Sequence, residues 1–300
     1  MKRLLSFLII FLLVLSFSCK PGAKEKDTFE PVFSTYKTDS AGSNAPVVKN
    51  EIFYGLLTPV EICTIFNRLG VPYNTAALNP TSKRNQYLSS SKAAINTGIY
   101  GVDFGYLKMF GIGQEMIDYM VTIRDMSNKL GIPDSYLTEP IKRIQSNMSD
   151  PDTIMSLMNS AYFNMEGHLR ESGRESTAGL MVMGGWVEAM FIATQLVYDP
   201  AKPDAEVVQK IAEQKYTLTT LLSFMKNYYD DPVVVYYTKK LKFLKNYFDS
   251  FDIYFKKGDL EIDKVKQVFR SSGSEMTVTV ETLNKIRNYV AKLRTEMVTP

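Results

Sequence analysis

Histidine and tryptophan each occur once in this chain of 300 residues, and cysteine twice. A lone His168 excludes multi-histidine metal centres, so any transition-metal site would have to lean on carboxylates. Cys19 falls in a processing segment, which leaves Cys63 without a partner. No internal disulfide can form, and the fold must rest on its core. Cys63 sits in the apolar run Val60–Phe66 and reads as a small buried hydrophobe. There is no His-Glu-x-x-His, no paired cysteine motif, no phosphate-binding glycine loop and no Gly-x-Ser-x-Gly. The common zinc-peptidase, zinc-ribbon, nucleotide-hydrolase and serine-hydrolase signatures are therefore missing. Charge of one sign is missing too, since the formal net charge is +3. Without Lys2 and Arg3, 33 of the 35 basic residues face 32 acidic ones, a balance that argues against nucleic acid as a partner.

What is present begins with an address. Lys2 and Arg3 precede an uncharged apolar run from Leu4 to Phe17, followed by Ser18, Cys19 and an abrupt polar switch at Lys20. A charged start, a short apolar stretch and a small residue before the cut describe a secretory signal. The run is too short for a comfortable transmembrane helix. The segment resembles the lipobox of bacterial lipoproteins, with Cys19 as the lipidated residue and residues 1–18 as the removed signal. It departs from the usual pattern at Ser16, where Leu is common, and at Phe17. Residues 19–50 are polar and rich in Pro, Gly, Ser, Lys and Thr, the composition of a tether.

Residues 51–300 read as one all-α domain, an antiparallel bundle or array of about eight or nine helices. Thr58-Pro59 opens the first helix. Ser89-Ser90-Ser91 opens a long helical stretch to Leu130 with a break at Gly111–Gly113, and Gly131-Ile132-Pro133 closes it. Asp134, Asp150-Pro151, Ser176 or Thr177, Asp204, Asp231-Pro232 and Thr277 or Thr279 start the rest. Ile154, Leu157, Met158, Ala161, Tyr162 and Met165 form one stripe, and the Asp231-Pro232 helix runs through Tyr236, Leu241, Leu244 and Phe248. Convincing strand pairs are absent, although Pro232–Tyr237 is β-branched and aromatic. Helix pairs recur without any repeating signature, so a tetratricopeptide-type array is a weak alternative.

Three polar constellations interrupt the apolar helices. In the first, Asp103 sits one turn from Tyr100 and from Tyr106, near Asn96, with Gly98, Gly101 and Gly105 permitting close helix approach. A carboxylate between two phenols is expected, as a satisfied buried network or as handles for a ligand. In the second, Glu188 lies inside Met183–Phe191 and must be paired, protonated or on a cavity wall. Gln195 shares its face, while Trp186 points elsewhere. In the third, His168 and Glu171 stand three apart on one helix face, a spacing that can present two metal ligands. It is neither the Glu-x-x-His of diiron proteins nor the Gly-x-His-x-x-Glu of imelysin-like proteins. Methionines at 155, 158, 165, 181, 183 and 190 suit core filling better than a copper site.

The stretch Ile99–Tyr106, the turn Asn128–Ile132 and the segment Gly184–Glu188 resemble a group of uncharacterised all-helical lipoproteins of Bacteroidetes. The resemblance implies an envelope location and a helical fold, and carries no assigned chemistry. The expectation is an exported lipoprotein fixed to the bilayer through Cys19, most simply at the outer membrane and facing the periplasm or the cell surface. It would act as a binding or interaction module for an envelope protein or small ligand, with Asp103, Tyr100, Tyr106, Glu188 and Trp186 as candidate ligand-binding residues and no cofactor. The alternatives are a carboxylate-based envelope enzyme using Asp103 and Glu188, or a metal or tetrapyrrole (haem) binder through His168 and Glu171.

Overall fold

The computed structural model describes residues 73–146, 150–255, 260–263, 268–271 and 274–300. The signal segment, Cys19, the polar stretch 19–50, the Thr58-Pro59 helix and Cys63 lie outside the described residues. Within them the chain is all-α, built on eight α-helices: α1 (Ser90–Met109), α2 (Gly113–Lys129), α3 (Ser135–Ser146), α4 (Pro151–Glu171), α5 (Glu175–Ile192), α6 (Ala205–Met225), α7 (Pro232–Asp249) and α8 (Val280–Val298).

The helix ends follow local chemistry. Ser89 caps α1 by accepting from the Lys92 N–H at 3.1 Å, Asp231 caps α7 from the Val233 N–H at 2.9 Å, and Thr279 caps α8 from the Thr282 N–H at 3.1 Å. Pro232 then occupies the first turn of α7, where its missing N–H costs nothing. Gly111 and Gly131 end α1 and α2 with φ of 66° and 63°, the left-handed conformation that halts a helix. The β-branched run at the start of α7 is thus helical, because the Asp-Pro cap and the apolar spacing outweigh its strand propensity.

One expectation is corrected. Short strands do occur, between α7 and α8: β1 (Ile253–Phe255) pairs antiparallel with β4 (Ser274–Met276), and β2 (Leu260–Asp263) with β3 (Val268–Ser271). Ile253 of β1 and Met276 of β4 pack against the edge of the core. On α7, Tyr237 and not Tyr236 faces inward, in register with Leu241, Leu244 and Phe248.

The core is centred on α1 and α5, which pack on each other more extensively than any other helix pair among the described residues. Both are buried almost all round, as expected of helices with no polar face. With its following π turn (Ala193–Val197), α5 is long and apolar enough to cross a membrane. However, 72% of its most apolar stretch is buried inside the fold, so it reads as a core helix. α4 buries Ile154, Leu157, Ala161 and Met165, and α8 buries Leu283, Ile286, Val290, Leu293 and Met297. Each such aliphatic side chain contributes about 1.5–3 kcal/mol relative to exposure.

Candidate functional site

The polar residues singled out on α1 and α5 meet in the middle of the fold. Glu188 is 0% exposed and forms a two-pronged ion pair with Arg294 of α8, with Nε to Oε2 at 2.8 Å and Nη2 to Oε1 at 3.0 Å. The same Nη2 donates to the carbonyl of Ala77 at 3.0 Å. The fork geometry suits arginine and no other cation. Burial works against the Arg294 charge, but Glu188 and then Asp103 outweigh it and raise its pKa, so the guanidinium stays protonated.

Asp103 lies against this pair and is also 0% exposed. Its Oδ2 accepts from the Asn79 backbone N–H at 3.0 Å, while Oδ1 receives no donor from the described residues. Its other polar partner is the Glu188 carboxyl. Two buried carboxyls side by side favour a proton on one of them, and the Arg294 fork on both Glu188 oxygens leaves it on Asp103. Burial first, and then the Glu188 charge, raise the Asp103 pKa well above its ordinary value, with Arg294 opposing. Protonated Asp103, anionic Glu188 and cationic Arg294 sum to zero charge, the arrangement a dry interior tolerates.

A shell of amides and phenols closes around the three. Asn79 Nδ2 donates to Asn96 Oδ1 and to the Tyr87 hydroxyl, each at 3.0 Å. Asn96 Nδ2 donates to the Met297 carbonyl at 3.1 Å, and the Tyr87 hydroxyl to the Val298 carbonyl at 3.1 Å. Tyr119 donates to the Asn79 carbonyl at 2.9 Å. Burial pushes the Tyr87, Tyr100 and Tyr119 phenols above their ordinary range, so all three remain donors. The network ties the loop before α1 to the end of α8, more than 200 residues apart.

The expected carboxylate between two phenols is corrected. Tyr100 donates to the Pro80 carbonyl at 3.0 Å, and the Tyr106 oxygen accepts from the Asn74 N–H at 2.7 Å. The loop 73–89 crosses this end of α1 and bonds both phenols, and its Asn79 N–H also holds Asp103, which lies against Glu188 of α5 and Arg294 of α8. Trp186 points away from Glu188, as expected, and donates to Gln214 Oε1 on α6 at 3.2 Å. Asp103 and Glu188 do lie together, which an acid/base pair requires, but neither reaches solvent. His168 and Glu171 stand apart from them on α4. The His168 ring lies 5.5 Å from the Tyr136 ring, Glu171 is exposed, and no group of three His, Cys, Asp or Glu is placed to hold a metal among the described residues.

Sequence reasoning missed Arg294, Asn79 and Tyr87. Arg294 had a signal: it falls on the apolar stripe of α8, four residues after Val290 and three before Met297. A cation there needs a buried anion, and Glu188 needs a buried cation.

The stability of the fold should register the Asp103 proton. The unfolded chain ionises near pH 3.8 and the folded one well above it, so the unfolded state releases the proton first. Between those values stability falls as pH rises, by up to about 1.4 kcal/mol per pH unit. Asp103→Asn keeps an acceptor for the Asn79 N–H and gives Glu188 a permanent donor. Urea titrations from pH 4 to pH 8 should show the falling slope in the parent and a flatter one in the variant, which is equal or more stable at pH 8. A variant that loses stability at every pH would refute the buried acid.

A second feature lies between α1, α2, α3 and α4. A partly open cavity of about 60 Å³ is lined by Phe104, Met120, Ile144, Met158, Ala161 and Met165, among others. Its lining is almost wholly apolar, with Thr97, Asn159 and Tyr162 as the polar members. Thr97 is spent on the Ala93 carbonyl at 2.8 Å. The Asn159 side-chain oxygen is buried without a donor among the described residues. Burial, aided by Glu166, pushes the Tyr162 phenol above its ordinary range. Pro140, on the outer wall, has no N–H for the carbonyl one turn back, which weakens α3 at that point.

Comparison with known proteins finds no matching protein-family model, no matching curated protein and no matching solved structure.

Proposed function

We propose that this chain is an exported, membrane-anchored binding module, and that its ligand enters the apolar cavity between α1 and α4 rather than the polar cluster at Asp103 and Glu188. The observation that carries the reading is the cavity's composition: an apolar wall with one unmatched acceptor, Asn159 Oδ1. Ligand sites are concave and apolar with a few polar groups that fix orientation. The ligand class that fits is an apolar chain carrying one hydrogen-bond donor, with the donor on Asn159 and the chain against the methionines. Methionine suits such a wall because it reshapes at low energy. The polar cluster is a poorer site, since its members already bond one another and lie out of solvent's reach. The anchored, exported address rests on the Lys2–Lys20 pattern and the polar stretch behind it.

The reading is tested with the normal alcohols from hexanol to decanol, each against its parent alkane, by calorimetry and thermal shift. Alcohols should raise Tm in proportion to occupancy and bind more tightly than the alkanes. Ala161→Phe fills the cavity and should abolish the response. Asn159→Leu should keep alkane binding and erase the preference for alcohol, a change of about 5–30-fold for one hydrogen bond. An unchanged response in Ala161→Phe would eliminate this cavity as the site.

A further inference from the structure

The outer face of α7 and α8 concentrates charge that the rest of the chain does not share. α7 carries four lysines against the single Asp249, and α8 carries four cations against Glu281 and Glu296. The two helices hold a surplus of five positive charges, or four once buried Arg294 is set against Glu188. The whole chain holds only three, so everything outside these helices is net acidic. Among the described residues Lys240, Lys245 and Lys285 pair with Glu296, Asp249 and Glu281, while Lys239, Lys242 and Lys292 have no carboxylate within ion-pair distance. All three of the latter are exposed.

The same face holds aromatic rings that an ordinary solvated surface would not display. Tyr236 is 48% exposed and Phe243 49%, two turns apart on α7 and interleaved with Lys239 and Lys242. Phe243 lies 5.0 Å from the Tyr289 ring of α8, and Tyr289 donates to the Lys240 carbonyl at 3.1 Å. The two helices therefore present one continuous strip. Lys285 and Lys292 flank Tyr289 by one turn on either side. Lys240 Nζ stands 4.7 Å from the centre of the Tyr236 ring, which keeps ring and cation at one level.

We propose that this α7–α8 face lies on a membrane surface of anionic phospholipid. Charge complementarity supplies the attraction, since juxtamembrane lysines are drawn to acidic headgroups. The rings supply what charge alone does not. Tyr and Phe beside lysine suit the headgroup boundary, where the ring inserts and the ammonium stays at the phosphates. An acidic protein would take the lysines but leave both rings without a pocket. Nucleic acid would take rings and cations, yet the near balance of acidic and basic residues over the chain argues against a polyanion as the partner. In a membrane-anchored chain, as proposed above, such a strip would hold the domain against its own bilayer at small energetic gain per contact. The strip stands on its own observations and does not depend on the cavity.

The test uses the full chain in vesicles, with a tryptophan reporter at the strip. Phe243→Trp is compared with Phe163→Trp, a 52% exposed position on α4, which packs on α3 and α5. Native Trp186 is buried and gives a constant background in both. Vesicles of phosphatidylcholine alone are set against vesicles with phosphatidylglycerol, each with and without brominated acyl chains. The Phe243→Trp signal should shift blue and be quenched by bromolipid only in the anionic vesicles, with the effect reversed by 0.5 M salt. Lys239→Glu with Lys242→Glu should lower the ratio of engaged to free strip by about tenfold or more. Phe163→Trp should not respond. Equal quenching at both positions, or none at Phe243→Trp, overturns the proposal. So does a response to a single-stranded homopolymer RNA without one to anionic vesicles. Because the cavity variant Ala161→Phe leaves the strip intact, failure of the alcohol assay and failure of this one are separable.

Discussion

Arg294→Met is expected to lower the stability of the fold by about 3–5 kcal/mol, the cost of leaving one buried ion without its partner. The loss would be read as a shift of the urea midpoint in far-ultraviolet circular dichroism. Two consequences follow the missing guanidinium. Glu188 faces the dry interior with only the Asp103 proton for company, and the Ala77 carbonyl loses its donor. The loop 73–89 and the end of α8 are joined through the same cluster, so both should loosen together. Faster amide exchange at residues 75–80 and 293–298 would show it. Arg294→Lys keeps the charge but not the fork and should fall between the two.

The paired replacement discriminates between a buried ion pair and a generally intolerant position. Glu188→Met with Arg294→Met removes both charges and refills the space with apolar volume. Such exchanges are often neutral or stabilising. Asp103 then keeps its Asn79 bond but loses the acceptor for its own proton, at about 1–3 kcal/mol. The double variant should therefore recover more than half of the single variant's loss. If it is as unstable as Arg294→Met alone, the defect lies in packing and the electrostatic account fails. The contrast also bears on function. A cluster whose replacement by methionine preserves the fold and leaves alcohol binding unchanged is structural.

How much of this was legible in the sequence depends on the range of the interaction. Local signals were read well: the caps at Ser89, Asp231 and Thr279, and the glycine stops at Gly111 and Gly131, depend on neighbours within four residues. The apolar stripes were legible for the same reason, except where two adjacent aromatics, Tyr236 and Tyr237, offered a choice that only packing resolves. The strands at 253–276 were missed because each is three or four residues long, and pairing across the chain rather than composition fixes them. In the polar core, Asp103 and Glu188 announced themselves because a carboxylate in an apolar helix needs an explanation. Arg294 carries a signal as a cation on an apolar stripe, whereas Asn79 and Tyr87 sit in a loop with no period. The cavity had no signal at all. It is a gap between four helices, and its lining residues look like ordinary core until the packing is known.

Gly98→Ala and Gly184→Ala should each be severely destabilising, by about 3 kcal/mol or more, although alanine is the better helix former by about 1 kcal/mol. The reason is the contact between α1 and α5. A Cβ on Gly98 would overlap the Met181 carbonyl and come within 2.8 Å of the Gly185 nitrogen. A Cβ on Gly184 would overlap the Ile95 carbonyl, with the Ile95 Cα at 3.0 Å. In both cases the obstacle is backbone, which cannot rotate aside as a side chain can. The helices would have to separate, and Asp103 and Glu188 would separate with them, because each is carried on one of the two. Destabilisation should thus be accompanied by a weaker Asp103 effect on the pH slope. Gly167→Ala provides the control. Nothing lies within 4 Å of its added Cβ, so the same chemical change on α4 should raise stability by about 0.5–1 kcal/mol. Equal and mild effects at all three positions would mean that α1 and α5 do not approach to backbone contact.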